Sequence, residues 1–247
     1  IYVERTKENN IVMIDSQIDR IKDSLLSGVG IRIFKGLRCV NASTADLSLE
    51  GMLACAGRVA DALGESNEEV SIHLTERLFG DIHPIRIVPD TALKSQKADI
   101  LKEAYFAAKE KSDRISQVSA TLLDVDHQIL VANSDGLYAE DGQIRTRLAV
   151  EGVASKNGEN QTGSCSPGRR MGLELFEMIP PRSIGEKAAA QALTMLDADY
   201  CKAGTKTVAI ENGFGGVIFH EACGHSLEAS AVALNQSQLA GKVGQQI

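Results

Sequence analysis

Two imidazoles and a carboxylate stand close together near the end of the chain: His220, Glu221 and His225. Two neutral histidines can hold a zinc ion, and a neighbouring glutamate can take a proton from a water that the metal holds. These are the minimal parts of a metal-dependent hydrolase. The spacing is His-Glu-x-x-x-His, one residue longer than the common zincin motif. On an α-helix, residues i and i+5 are offset by roughly 140°, so an ideal helix cannot aim both rings at one ion. A single widened π-type turn would bring them together, and such turns favour functional sites. Gly224, just before the second histidine, gives the backbone room to deform. Cys223 lies inside the motif but out of line with the histidines, and it is not counted as a ligand. Glu228 follows His225 by three residues and shares its helical face. It can orient a histidine ring as an acceptor, and an ordinary salt-bridged or solvated glutamate is an equal reading.

Other candidate residues carry less chemistry. Gly213, Gly215 and Gly216 invite comparison with a phosphate-binding loop, but the third glycine of the dinucleotide fingerprint would fall at Ile218. A sharp turn feeding the motif is the simpler reading. Arg169 and Arg170, with Lys156 nearby, can contact a carboxylate or a substrate backbone, although a solvated loop explains them as well. His73, His83 and His127 are isolated in sequence and read as surface or turn residues. No Gly-x-Ser-x-Gly elbow is present, which removes support for a serine hydrolase.

The elements that must position the motif follow from periodicity. Residues 1–4 and 11–14 have strand character around a polar stretch at 7–10. A hairpin is expected over 28–34 and 37–40, with Lys35 and Gly36 at its turn. A helix over 49–63, capped by Asp46 or Ser48, follows, and then a polar stretch at 64–70. A second helix is expected over 91–111. Residues 115–154 read as an antiparallel meander with turns at 124–127 and 140–142. Residues 156–170 read as a loop, and 172–176 as a closing strand. A third helix over 183–196 has Ser183 and Glu186 in capping-box spacing. A short strand at 205–210 and a motif helix over 217–234 complete the chain. Strand runs and helix runs are segregated, which predicts an α+β fold: an antiparallel or mixed sheet packed with helices in two layers. The expected division is an N-terminal domain over 1–200 and, over 201–247, the start of a second domain carrying the motif helix.

Composition bounds the function. The 247 residues are 43% apolar and 24% charged, as in soluble globular proteins. A net charge of −7 argues against direct nucleic-acid binding, which needs a basic face. The cysteines, Cys39, Cys55, Cys165, Cys201 and Cys223, are odd in number and scattered without a CxxC pair. They read as reduced thiols of a cytoplasmic protein rather than a disulfide framework. No apolar run approaches the ~20 residues of a membrane span. The start at Ile1 and the end at Ile247 read as cuts through a longer protein.

The segment from Gly216 to Glu228 resembles the signature of the TldD branch of the TldD/PmbA family, described as metallopeptidases and as modulators of DNA gyrase. The resemblance extends to residues 1–4, 28–33, 42–48 and 163–172, and so covers nearly the whole chain. It implies a cytoplasmic zinc peptidase acting on short or unfolded peptides. By the same resemblance His220 and His225 are zinc ligands and Glu221 is the general base. A PmbA-type partner subunit or a homodimer is implied as well. The family's third zinc ligand is a cysteine farther along its C-terminal domain, a position that Cys165 and Cys201 do not match. The 247 residues alone are therefore expected to be inactive. The competing function is a noncatalytic partner or regulatory subunit that affects gyrase or a toxin–antitoxin system by protein contact.

Overall fold

A computed structural model describes residues 1–64, 71–78, 80, 82–210 and 213–246, apart from the side chain of Phe214. Most of the polar stretch expected at 64–70 lies outside the described residues. The chain divides into two compact units. The first comprises Ile1–Arg32 with Asn41–Asp199, and the second Ile33–Val40 with Tyr200–Ile247.

Among the described residues, eight strands form one sheet: β1 Tyr2–Ile14, β2 Gln17–Lys35, β3 Arg38–Thr44, β4 Thr75–Arg77, β5 Ile115–Ala132, β6 Leu137–Lys156, β7 Glu159–Cys165 and β8 Gly168–Arg169. The order is β3-β2-β1-β5-β6-β4, with β7 and β8 also paired to β6. The short β4 runs parallel to β6. The pairings of β1 with β2 and β5, and of β6 with β5, β7 and β8, are antiparallel. The described residues of the first unit also form the α-helices α1 Leu49–Leu63, α2 Lys94–Lys109, the single turn α3 Leu175–Met178, and α4 Pro181–Leu196. The expected α+β class, a sheet packed with helices, is what the structure contains.

The central strands bury alternate residues, as the period of two requires. Val118, Ala120 and Leu122 of β5 lie opposite Gly152, Val150 and Leu148 of β6. All three pairs are buried, and Ile11 and Met13 of β1 extend the row. Onto this row α2 contributes Leu101, Ala104, Tyr105 and Ala108, and α4 contributes Ile184, Ala188, Ala192 and Leu196, each set at helical spacing. Small residues let the layers approach closely. A Cβ built on Gly185 would lie 2.0 Å from the carbonyl oxygen of Ala104, so α2 and α4 meet backbone to backbone. Gly185→Val is therefore expected to force the two helices apart and cost about 3 kcal/mol of stability. A lowered unfolding midpoint in urea measures it; an unchanged midpoint would mean the crossing is loose.

Several expected boundaries are corrected. The strands at 1–4 and 11–14 are one strand, because β2 and β5 satisfy the β1 backbone on both edges through the polar stretch. Residues 17–27, whose charges concealed any alternation, form the first half of β2. The meander turns at 124–127 and 140–142 do not exist: both segments lie within β5 and β6, where Asp124 faces Thr146 and Gln128 faces Gly142. The true hairpin turn is at 133–136, where the Asn133 side chain accepts from the backbone N–H of Asp135 at 3.0 Å and of Leu137 at 3.1 Å. Gly136 there has φ +88°. The expected loop at 156–170 contains β7 and β8, since Gly163 is small enough for β7 to lie against the α4 backbone. The helix expected at 91–111 spans Lys94–Lys109, after a short 3₁₀ turn at Pro89–Thr91. Ser48 caps α1, accepting from Gly51 N–H at 3.1 Å, while Asp46 accepts from the backbone of Ser48 at 2.9 Å. The capping box expected at Ser183 and Glu186 is absent: α4 starts at Pro181, and the Ser183 hydroxyl donates to Pro180 O at 2.8 Å.

Residues 172–176 do not close the sheet, because Glu174 gathers their backbone elsewhere. Its buried carboxylate accepts from the N–H groups of Ile87 at 2.9 Å, Gly172 at 3.0 Å and Arg86 at 3.3 Å. Burial opposes the charge. The N–H donors of Glu174 itself, Ile87, Gly172 and Arg86 outweigh it and hold the carboxyl below its ordinary range. A depressed folded value means stability that is full above the unfolded value, about 4.3, and lost as pH falls through the folded one. Glu174→Gln should cost about 2 kcal/mol at pH 7, with the gap to the native protein narrowing in acid below about pH 4. Thermal unfolding at the two pH values reads this, and a gap independent of pH would refute the electrostatic origin.

Candidate metal centre

The motif lies in the second unit. The expected strand at 205–210 is not formed, and the expected single helix over 217–234 is broken into short pieces. A 3₁₀ turn at Phe214–Gly216 leads into one α-turn at Val217–Phe219. A π-turn follows at His220–Gly224, then a 3₁₀ turn at His225–Leu227 and a short helix at Ala229–Ala233. The backbone thus changes pitch repeatedly where the motif needs it.

The π-turn resolves the spacing problem. The N–H of His225 bonds to the carbonyl of His220, five residues back. That widened ring stacks residue i+5 over residue i, and the two imidazole centroids come to 4.5 Å. Glu221 joins them: the ligand atoms of His220, Glu221 and His225 all lie within 4.8 Å of one another. Among the described residues this is the one such group of histidine, cysteine, aspartate and glutamate. Cys223 is not part of it, nor are His73, His83 or His127. Gly224 does not supply special freedom, since its φ of −57° and ψ of −54° suit any residue. Two imidazoles converging in this way suit zinc, and the carboxylate stands beside them.

Glu221 Oε2 lies 3.7 Å from His225 Nε2, and Glu228 Oε1 lies 2.6 Å from His225 Nδ1. The Glu228 hydrogen bond first, and then the Glu221 charge, raise the imidazole above its ordinary value. The side chains are open to solvent, His225 at 53% and Glu221 at 63%. None of the described residues from 200 to 246 is buried, and Ile218, Phe219 and Leu227 expose most of their surface.

The remaining candidates lie in the first unit and are engaged locally. Arg170 donates to Asp141 Oδ1 and to Gly142 O, each at 3.0 Å, and Arg169 donates to Gly168 O at 2.8 Å. Lys156 reaches Asp197 at 3.4 Å. His127 is held by Glu4 at 3.3 Å and Tyr2 at 3.1 Å. A separate cleft of about 390 Å³ is lined by Lys7, Asp23, Asp90, Lys94 and Asp124. Its cations are already paired, Lys7 with Asp90 at 2.9 Å and Lys94 with Asp23. Sequence reasoning missed this charged cluster.

Comparison with known proteins follows the same line. The first unit carries the matches that define the class of protein, a metallopeptidase family. Residues 1–63 match the PmbA/TldA metallopeptidase domain 1, and residues 88–196 match the PmbA/TldA metallopeptidase central domain. The chain belongs to this TldD/PmbA family. It is 28% identical to a metalloprotease TldD homologue of Haemophilus influenzae, covering 100% of this chain and 53% of that protein. It is 24% identical to a metalloprotease of Methanothermobacter thermautotrophicus, over 98% of this chain and 53% of the relative. The chain thus spans about half the length of these curated relatives. Its fold is similar to that of a proposed modulator of DNA gyrase from Thermotoga maritima, with a TM-score of 0.74, 20% identity, and coverage of 99% and 55% of the two chains. TldE from Thermococcus kodakarensis is similar at a TM-score of 0.62 and 18% identity, over 98% and 54%. Among the described residues, no helix is long and apolar enough to cross a membrane.

Proposed function

We propose that the protein is a zinc-dependent peptidase of the cytoplasm that hydrolyses short or unfolded peptides. His220 and His225 hold the metal and Glu221 is the general base. The observation that carries this reading is the π-turn, which converts an unusable five-residue spacing into converging imidazoles with a carboxylate beside them. The metalloprotease relatives support a metal-dependent activity for the longer protein.

When bound, zinc supplies a Lewis acid for the scissile carbonyl and lowers the pKa of water toward ~7. Glu221 takes the proton from the attacking water as its oxygen bonds to the carbonyl carbon. The same carboxyl then returns that proton to the departing amine nitrogen as the C–N bond breaks. Catalytic zinc sites use three protein ligands, and the two histidines supply two. The family resemblance assigns the third to a cysteine in the longer protein. A PmbA-type subunit or a second copy is the proposed partner. Cleavage of a short unstructured peptide by the full-length protein, with and without Glu221→Gln, tests the reading, and unchanged cleavage in the variant overturns it.

A further inference from the structure

Glu228 stands at a junction in the backbone. The 3₁₀ turn at His225–Leu227 ends there, with φ −58° and ψ 128°, and the helix at Ala229–Ala233 begins. A side chain at this position would ordinarily turn toward the N–H groups of the helix that follows. The Glu228 carboxylate makes no such bond. It turns back instead and meets His225 Nδ1 at 2.6 Å, a charge-assisted distance. The opposite ring nitrogen, Nε2, is the one on the Glu221 side, 3.7 Å from that carboxylate. Each ring nitrogen of His225 therefore faces a different glutamate.

We infer that Glu228 is the positioning residue of the metal centre: by accepting the Nδ1 hydrogen of His225, it fixes the ring and its tautomer so that the Nε2 lone pair is presented to the metal. The inference rests on the reading of His225 as a ligand. A neutral imidazole carries one ring proton, and an acceptor at Nδ1 keeps it there. Without that acceptor the ring of an exposed histidine is free to rotate about its side-chain bonds. The proton can then sit on the nitrogen that the metal needs. Carboxylate–histidine–metal arrangements gain affinity by this means, and loss of the carboxylate typically costs 10–100-fold. Glu228 acts through His225 and touches no reacting atom in this arrangement.

The test measures zinc affinity of the full-length protein by competition with a chelator, for the native protein, Glu228→Gln and Glu228→Ala. The alanine variant is expected to bind zinc roughly 10–100-fold more weakly. The glutamine variant should fall between, because its amide oxygen still accepts from Nδ1. Peptide cleavage by the alanine variant should return when zinc is raised to saturate the weakened site. The visible spectrum of the cobalt-substituted glutamine variant should match that of the native protein. Zinc affinity unchanged in the alanine variant overturns the positioning role while leaving the metal site standing. A shifted cobalt spectrum in the glutamine variant makes Glu228 a direct ligand and overturns it equally. Absence of zinc binding by the native protein removes the parent reading, and this inference with it. If the alanine variant fails to fold, the glutamine variant carries the comparison, since it keeps the shape of the side chain.

Discussion

Glu221→Gln in the full-length protein is expected to lower peptide cleavage by roughly 10³-fold or more, while leaving its zinc content intact. The size follows from the role. General-base catalysis contributes about 10²–10⁴-fold, and a carboxamide neither accepts the proton of the attacking water nor delivers one to the leaving amine. The change is otherwise small: Gln has nearly the same shape, and the Glu221 side chain is 63% exposed, so no packing is lost. His220 and His225 stay under the backbone control of the π-turn, whose closing bond involves their own main chain rather than the Glu221 side chain. Metal analysis and cleavage kinetics on the same preparation separate the two functions. Lost cleavage with retained zinc is the signature of a base. Lost zinc would make Glu221 a ligand, and retained cleavage would show that Glu221 is not the base.

The clustering of His220, Glu221 and His225 was more legible in the sequence than the strand boundaries were, and the reason is physical. Chemistry is written in residue types, and His220 and His225, two of only five histidines in the chain, stand in close order with Glu221 between them. Their spacing also carried the backbone prediction, because a five-residue separation is compatible with a shared ion only through a wider turn, which is what His220–Gly224 adopts. Strand boundaries carry no such signature. Asp124, Asp126 and His127 look like a turn, and so do Glu140, Asp141 and Gly142. Both runs are strand interiors because β5 is paired on both sides and its long register with β6 continues through them. Turn propensity describes one segment at a time, whereas a central strand answers to two neighbours. The same limit hid the charged cluster of the first unit, although a signal existed. Asp124 falls in phase with the buried Val118, Ala120 and Leu122, and Lys97 precedes the buried Leu101 by one helical turn. A charge in phase with an apolar face is a buried charge, and a buried charge needs a partner.

That partnership yields the largest expected stability effect in the chain. Asn9 lies opposite Asp23 on one side and Asp124 on the other, so three strands bring their polar side chains into one line. Lys97 descends on that line from α2, donating to Asp124 Oδ2 at 2.6 Å and to Asn9 Oδ1 at 3.0 Å. Asn9 in turn donates to Asp23 Oδ1 at 2.6 Å. The Lys97 and Asp124 side chains are only 4% and 10% exposed. Lys97→Met is therefore expected to cost about 3–5 kcal/mol at pH 7, because it strands a desolvated carboxylate. Burial already pushes the Asp124 carboxyl above its ordinary value against the opposing pull of Lys97. In the variant that pull is gone, and the carboxyl rises further. A folded value raised above the unfolded one penalises the folded state at neutral pH, and the penalty is relieved as pH falls through the raised value. The deficit of Lys97→Met should thus be greatest at pH 7 and smaller at pH 5. Lys97→Met combined with Asp124→Leu removes both charges and should recover most of the loss, ending within about 2 kcal/mol of the native protein, the remainder reflecting the Asn9 oxygen left without its donor. Urea midpoints of the three proteins at the two pH values decide the matter. A double variant no more stable than the single one would show that the stranded charge is not the source of the loss.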